Sequence, residues 1–276
     1  MKIKSFKSYT EKKSNFINAH GSHAQAKKKS NFVNAHGSHA KIPKKKFFFN
    51  EAKIPHIEDY ESHIEKLHRK EFGHTLPADI MQTLHDNHPL TENEDTRNAL
   101  DHYSQSSSAL NYALVKAHNE GKEAPESIGK IHVKPIDSAF QASKNHYHTF
   151  SGAGFDIRDE KPAGKSKSGN NVYHSPGYLS STHDMPTAKW FASEAMDMNG
   201  GSALKGKNRQ IMHIEVPKGH KILALGEHST LAPNEHETMH PRGALYEHIK
   251  TTTVSDDHGN LHDIHHLRRI HPDEMK

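Results

Sequence analysis

Glu235 and Glu237 stand two residues apart in the run Pro233-Asn234-Glu235-His236-Glu237-Thr238-Met239-His240-Pro241-Arg242-Gly243. If that run is extended, the two-residue period of a strand puts both carboxylates on one face. Acids so close repel each other unless a site uses both, and a solvated strand edge is the plain alternative. A second run, Pro176-Gly177-Tyr178-Leu179-Ser180-Ser181-Thr182, ends an extended segment in three hydroxyls and leads into an amphipathic stretch with Ala188, Trp190, Phe191 and Ala192. Hydroxyls so placed serve either a ligand or the N-cap of the helix that follows. A third run, Thr149-Phe150-Ser151-Gly152-Ala153-Gly154-Phe155, carries glycines just after a strand, where they let backbone amides approach a ligand closely. Alone, each of the three is a weak signal.

Histidine is abundant, at 28 residues, so metal binding has to be weighed. His262, His265 and His266 have i, i+3, i+4 spacing, but their segment reads as a strand, in which they do not converge. There is no His-Glu-x-x-His and no clustered carboxylate set, so no metal is expected. The absence of cysteine removes disulfides, thiolate metal sites and a cysteine nucleophile.

These side chains need elements to hold them. Ile57, Tyr60, Ile64 and Leu67 recur at helical spacing, and Pro77-Ala78-Asp79 opens a second helix through Leu84. The longest helical stretch is 91–118, with Thr91 placed to cap it and Glu94 three residues on, as in a capping box. The serines at 106–108 interrupt its apolar face, and Gly121 stops it. After Ile131 the texture turns strand-like, with runs at 147–150, 210–216, 221–225 and 244–253. Residues 164–171 read as a mobile loop, and 256–260 as the turn of a hairpin joining 246–254 to 261–270. The expected class is α+β, a helical N-terminal portion before a mostly antiparallel β core.

The net charge of +4 hides an asymmetry, because residues 1–53 hold 13 lysines and two acids, a balance of +11 that leaves −7 for the rest. Within this arm, residues 12–24 recur as 28–40 with one change, Ile17 to Val33. So polar a repeat buries no core, and the arm is expected to be disordered, either a solvated tail or a contact for nucleic-acid phosphates. No apolar run approaches the ~20 residues that span a bilayer, and the basic N-terminus lacks the apolar segment of a signal peptide, so neither membrane nor Sec export is expected.

In their order, the glycine-bearing strand at Phe150-Ser151-Gly152, the Tyr178-Leu179-Ser180-Ser181-Thr182 strand and Glu235-His236-Glu237 before Pro241-Arg242-Gly243 resemble the Arg-Ser-Glu class of mono-ADP-ribosyltransferases. That class includes actin-modifying bacterial toxins and phage-encoded enzymes. Ile211 through Gly219 resembles the strand and turn before its acceptor-recognition loop, and Ala99-Leu100, Tyr103-Ser104 and Ser107 through Leu114 resemble its N-terminal helix. The resemblance runs from residue 91 to 276 and implies an ADP-ribosyltransferase-like fold. The domain plan is then a basic arm 1–53, a helical segment 54–90 and a catalytic domain 91–276.

The resemblance also implies NAD⁺ as substrate and no metal. Ser180 stands where the family's first motif serine supports the catalytic acid and the nicotinamide pocket, with Ser181 and Thr182 in the next two positions. Glu237 matches the acid that binds the NAD⁺ ribose, and Glu235 the acid that engages an acceptor arginine. Residues 226–234 would form the acceptor loop. Phe150, Ser151 and Gly152 match the aromatic-Arg-Gly motif, except that Ser151 replaces the arginine and cannot clamp a phosphate with a guanidinium fork. His148, Arg158 or backbone amides are left for that task. The function implied is transfer of ADP-ribose to a host protein, at arginine, by a phage or bacterial effector in the host cytoplasm, carried in a virion beside DNA. Two alternatives stand beside it, an NAD⁺ glycohydrolase and a nucleic-acid-binding or packaging protein with a degenerate ADP-ribosyltransferase body.

Overall fold

The computed structural model describes residues 54–87, 93–198, 207–225 and 236–276. The expectations for the arm 1–53, the Thr91 cap, the loop 226–234 and Glu235 fall outside these residues. Helices come first: α1 (Ile57–Phe72), α2 (Pro77–Asn87), α3 (Glu94–Asn119) and α4 (Glu126–Ile128), which runs through a π-helical turn, Gly129–Val133, into α5 (Lys134–Ala139). The strands are β1 (Gln141–Ala142), β2 (Tyr147–Ala153), β3 (Gly164–Lys165), β4 (Asn171–Ser175), β5 (Leu179–Thr182), β6 (Arg209–Val216), β7 (Lys221–Ala224), β8 (Glu237–His240), β9 (Ala244–Ser255) and β10 (Leu261–Ile270). One further helix, α6 (Met185–Met198), lies between β5 and β6.

The strands form one sheet in the order β1-β7-β8-β5-β2-β6-β10-β9-β4-β3. Pairings between these strands are antiparallel except β6 with β10, where Arg209 to Glu215 run parallel to His262 to Arg268. The α+β arrangement is therefore the one expected, with helices on both faces of a mostly antiparallel sheet. On one face α1 and α6 bury Ile57, Ile64, Ala188 and Ala192 against Phe150, Ile211 and Ile264. On the other, Ile80, Met81 and Leu84 of α2 meet Tyr147, Ile214, Tyr246 and Leu267. α3 and α5 cover the β7–β8 end through Tyr103, Leu110, Ile136, Leu223 and Met239.

Local chemistry sets the boundaries. α1 ends at Gly73, whose φ of 75° only glycine adopts without strain and whose N–H bonds the Arg69 carbonyl. α3 is capped by Asn93, whose side chain accepts from the N–H groups of Asp95 and Thr96. The expected interruption at the serines is a kink, with Ser106 at φ −145°, ψ 28°. The hairpin turn forms as expected, Asp256 Oδ1 accepting from the backbone of His258 at 3.0 Å and Asn260 at 2.8 Å.

Two expectations fail. The strands begin at Gln141 and not directly after Ile131, because the helix continues to Ala139. Val133, Ile136 and Ala139 recur every three residues and are buried, and Pro135 directly follows the π-helical turn without ending the helix. Nor do residues 164–171 float. The buried carboxylate of Glu247 gathers them, accepting from Ser166, Ser168 and Asn170 through Oε1 and from Arg268 through Oε2. Glycine and serine made this turn look loose, and a carboxylate some eighty residues away fixes it. Among the described residues no helix is long and apolar enough to cross a membrane.

Candidate active site

β5 lies between β2 and β8, and its register builds the site. Thr182 pairs with Phe150 on one side and Glu237 on the other, while Ser180 pairs with Met239. Directly opposed residues share a face and alternate residues return to it, so Phe150, Ser180, Thr182 and Glu237 face the same way. They border a cavity of about 170 Å³ that Phe191 closes from α6. Ser151, Gly152 and Ser181 complete the lining. The expected site residues in the described chain thus meet at one place. Glu235 does not enter this account. β8 begins at Glu237, and His236 before it has φ 50°.

The three hydroxyls of β5 have different partners. Ser180 Oγ is 3.0 Å from Tyr103 Oη of α3. Thr182 Oγ1 accepts from the Asp184 N–H, and Asp184 in turn caps α6 by accepting from Thr187 N and Oγ1. The capping role weighed for the hydroxyls therefore falls to Asp184. Ser181 points away from the cavity, its Oγ donating to the Thr238 carbonyl at 2.9 Å and meeting His240 Nε2 at 2.9 Å. Its side chain ties β5 to β8.

Tyr103 and Asn111 were legible only as helix residues. Asn111 treats β5 as a strand partner would, donating to the Tyr178 carbonyl and accepting from the Tyr178 N–H, both at 2.9 Å. That grip holds α3 over the strand and brings the Tyr103 hydroxyl onto Ser180. Burial, then the nearby Glu237 charge, push the Tyr103 phenol up to about 12 against the pull of its bond with Ser180, so it stays protonated. His183, also unforeseen, clips the end of β5, with Nδ1 at 3.1 Å from the His148 carbonyl and Nε2 at 3.2 Å from Thr238 Oγ1. No spacing marks it among so many histidines.

The glycine motif acts differently from the expectation. Gly152 lies inside β2, and a Cβ there would fall 2.5 Å from the Ala188 carbonyl and 2.8 Å from the backbone of Phe191. Its bareness lets α6 sit against the strand. Ser151, between Phe150 and Gly152, faces the opposite side by alternation. The candidate substitutes for a motif arginine are committed elsewhere. Arg158 grips Asp156 through Nε and Nη2 at 2.8 and 2.7 Å, and its Nη2 also meets Asp263 at 2.6 Å. His148 is bonded to His213 at 2.9 Å beneath α1, and burial pushes its pKa down to about 3, so it carries no charge at neutral pH. Backbone amides remain. His262, His265 and His266 go to separate partners: Asp256, Gln210 and Thr252.

Residues 62–264 match the profile of a family described as ADP-ribosyltransferase exoenzyme. Similar solved structures include the C3 exoenzyme of Clostridium limosum, 17% identical, covering 70% of this chain and 95% of that one with a TM-score of 0.50. Plx2a, an ADP-ribosyltransferase toxin from Paenibacillus larvae, is 17% identical over 77% of this chain and 97% of its own, TM-score 0.48. C3stau2 from S. aureus, solved with NAD, is 16% identical over 69% and 94%, TM-score 0.46. At these identities such likeness speaks to the fold alone. No curated protein matches the sequence significantly.

Proposed function

The chain belongs to the ADP-ribosyltransferase exoenzyme family, and on that premise we propose that it moves ADP-ribose from NAD⁺ to an arginine of a host protein, with Glu237 and Ser180 at the reacting ribose. The observation that carries this reading is the convergence of Phe150, Ser180, Thr182 and Glu237 on one cavity. At about 170 Å³ it is smaller than the roughly 300–1,000 Å³ of a pocket that encloses a drug-sized ligand. It suits one end of a dinucleotide, the nicotinamide riboside, with the rest lying outside.

Breaking the nicotinamide–ribose bond leaves positive charge on the ribose, as in glycoside hydrolysis. A fixed carboxylate facing that charge stabilises the transition state more than the ground state, and this is the role of Glu237. Ser180, held by Tyr103, orients the ribose end against it. Phe150 and Thr182 form the walls, and the backbone at Ser151, Gly152 and Ser181 supplies polar contacts without a motif arginine. Glu235 holds the acceptor guanidinium and takes its proton as it attacks the anomeric carbon. The lysine-rich residues 1–53 contact nucleic acid and carry the enzyme with phage DNA toward host cytoplasm.

Purified protein is incubated with labelled NAD⁺ and a bacterial lysate beside Glu237→Gln. Label on discrete proteins with wild type alone is expected. Free ADP-ribose without labelled protein would make the chain a glycohydrolase. Full transfer by Glu237→Gln would remove Glu237 from the chemistry.

A further inference from the structure

Arg269 lies near the end of β10 and is 6% exposed, yet among the described residues no carboxylate meets it. Arg158, Arg209, Arg242 and Arg268 each pair with an acid. Its hydrogen bond runs from Nη1 to the Lys221 carbonyl, 2.7 Å, while its Nε is buried without a partner. Three more buried polar atoms nearby are also unmatched: the hydroxyls of Tyr147 and Tyr246, and Nδ1 of His240. All sit on the sheet face turned away from the candidate active site, within reach of the Arg269 charge, which favours ionisation of both tyrosines and opposes protonation of His240. A buried cation with no counter-charge is destabilising, and unmatched buried polar atoms ask for an unseen partner. Water satisfies the hydrogen bonds but leaves the charge.

Beside Arg269 a groove of about 620 Å³ opens between the start of β7 and the start of β9. His220 and His271 stack along it, ring centroids 4.1 Å apart and planes 21° from parallel. Of the residues that line it, Asp137 is the acid, and it is already held by Arg242 at 2.9 and 2.7 Å and by Tyr178 at 2.7 Å. The unspent charge of the groove is therefore positive, and its free donors are a guanidinium and imidazoles, the set that recognises an oxyanion with several oxygens. The groove shares no lining residue with the cavity at Glu237, so it is a second site and does not rest on the role proposed for Glu237.

We propose that the groove binds the phosphate group of a small ligand, with Arg269 as its counter-charge and His220 and His271 as flanking donors. The phosphate is either free or borne by a mononucleotide, and the two arms of the test separate these sources. Full-length protein is titrated at constant ionic strength with inorganic phosphate or with 5′-AMP against sodium chloride, and the ring signals of His220 and His271 and the melting temperature are followed. Wild type should show saturable shifts of both rings and a rising melting temperature, with 5′-AMP the tighter if the source is a nucleotide. Arg269→Met should lose the response while melting no lower than wild type in phosphate-free buffer, since it removes an unpaired buried charge. His271→Ala, on an exposed ring, should weaken binding by about threefold to tenfold, the worth of one hydrogen bond. No saturable response in wild type, or an equal response in Arg269→Met, overturns the proposal and leaves the groove to water.

Discussion

Replacing Gly152 with alanine separates two roles that a glycine beside a catalytic strand can have. A Cβ at this position falls on the backbone of Ala192, lies 2.5 Å from the Ala188 carbonyl and 2.8 Å from the carbonyl carbon of Phe191. All three are backbone atoms of α6, so no rotamer change relieves the overlap, and the helix must move off β2. Overpacking of a filled core costs about 1–3 kcal/mol, and rigid backbone neighbours put this substitution at the upper end, ~3 kcal/mol. With a urea dependence of ~2 kcal/mol per M, the unfolding midpoint should drop by about 1.5 M. Ala188 and Ala192 are fully buried, which leaves α6 no slack to slide. The assay is urea unfolding of Gly152→Ala beside wild type, with the KM for NAD⁺ measured under native conditions. An unchanged midpoint with a raised KM would refute the reasoning, because glycine would then serve the ligand and not the helix.

Other expectations follow from the same geometry. Tyr103→Phe removes the 3.0 Å partner of Ser180 and should cost about 1 kcal/mol of stability while lowering kcat more than it raises KM. If steady-state kinetics leave kcat untouched, Tyr103 does not position Ser180. Glu235→Gln should suppress arginine transfer more than NAD⁺ hydrolysis, read as labelled protein against free ADP-ribose, and equal loss of both would separate Glu235 from the acceptor. Burial lowers the pKa of His148 to about 3 and that of His213 well below its ordinary value, and the folded state therefore binds fewer protons than the unfolded one below pH 6.5. Stability is full above that pH and falls as pH drops toward 4, by about 1.4 kcal/mol per pH unit for each histidine. Urea midpoints at pH 7.5 and 5.5 test this, and coincident midpoints would contradict it. Deleting residues 1–53 should abolish salt-sensitive DNA binding and leave ADP-ribosyl transfer intact in a filter-binding and labelling pair.

Much of the site could be read from sequence because its pieces are contiguous. Ser180-Ser181-Thr182 and the Glu237 segment each lie on one short strand, and strand alternation is a local rule. Tyr103 and Asn111 fall in a stretch legible as a helix, but which strand they grip depends on how α3 docks, and docking has no local signal. The turn at 164–171 misled for the same reason, since Glu247, which orders it, is on β9. Gly152 is legible as a glycine beside a site, but its close contact with α6 is not, because a strand does not announce which helix will lie across it. Helical continuation to Ala139 was masked by Ile131 and Val133, which favour strands, in a segment where burial at every third residue decides the outcome.

The parallel pairing of β6 with β10 has a consequence for the newly made chain. β10 follows every other described strand in the chain, yet it sits in the interior of the sheet between β6 and β9. Until a ribosome has released residues 261–270, the edge of β6 opposite β2 stays open, and β9 lacks the partner to which nearly all its length is paired. Such unpaired edges invite joining between chains, and pairings so distant in sequence form slowly. The enzyme is thus built so that its sheet closes only after translation has passed every strand bordering the cavity, and a chain truncated within β10 should accumulate as aggregate, not as a weakly active transferase.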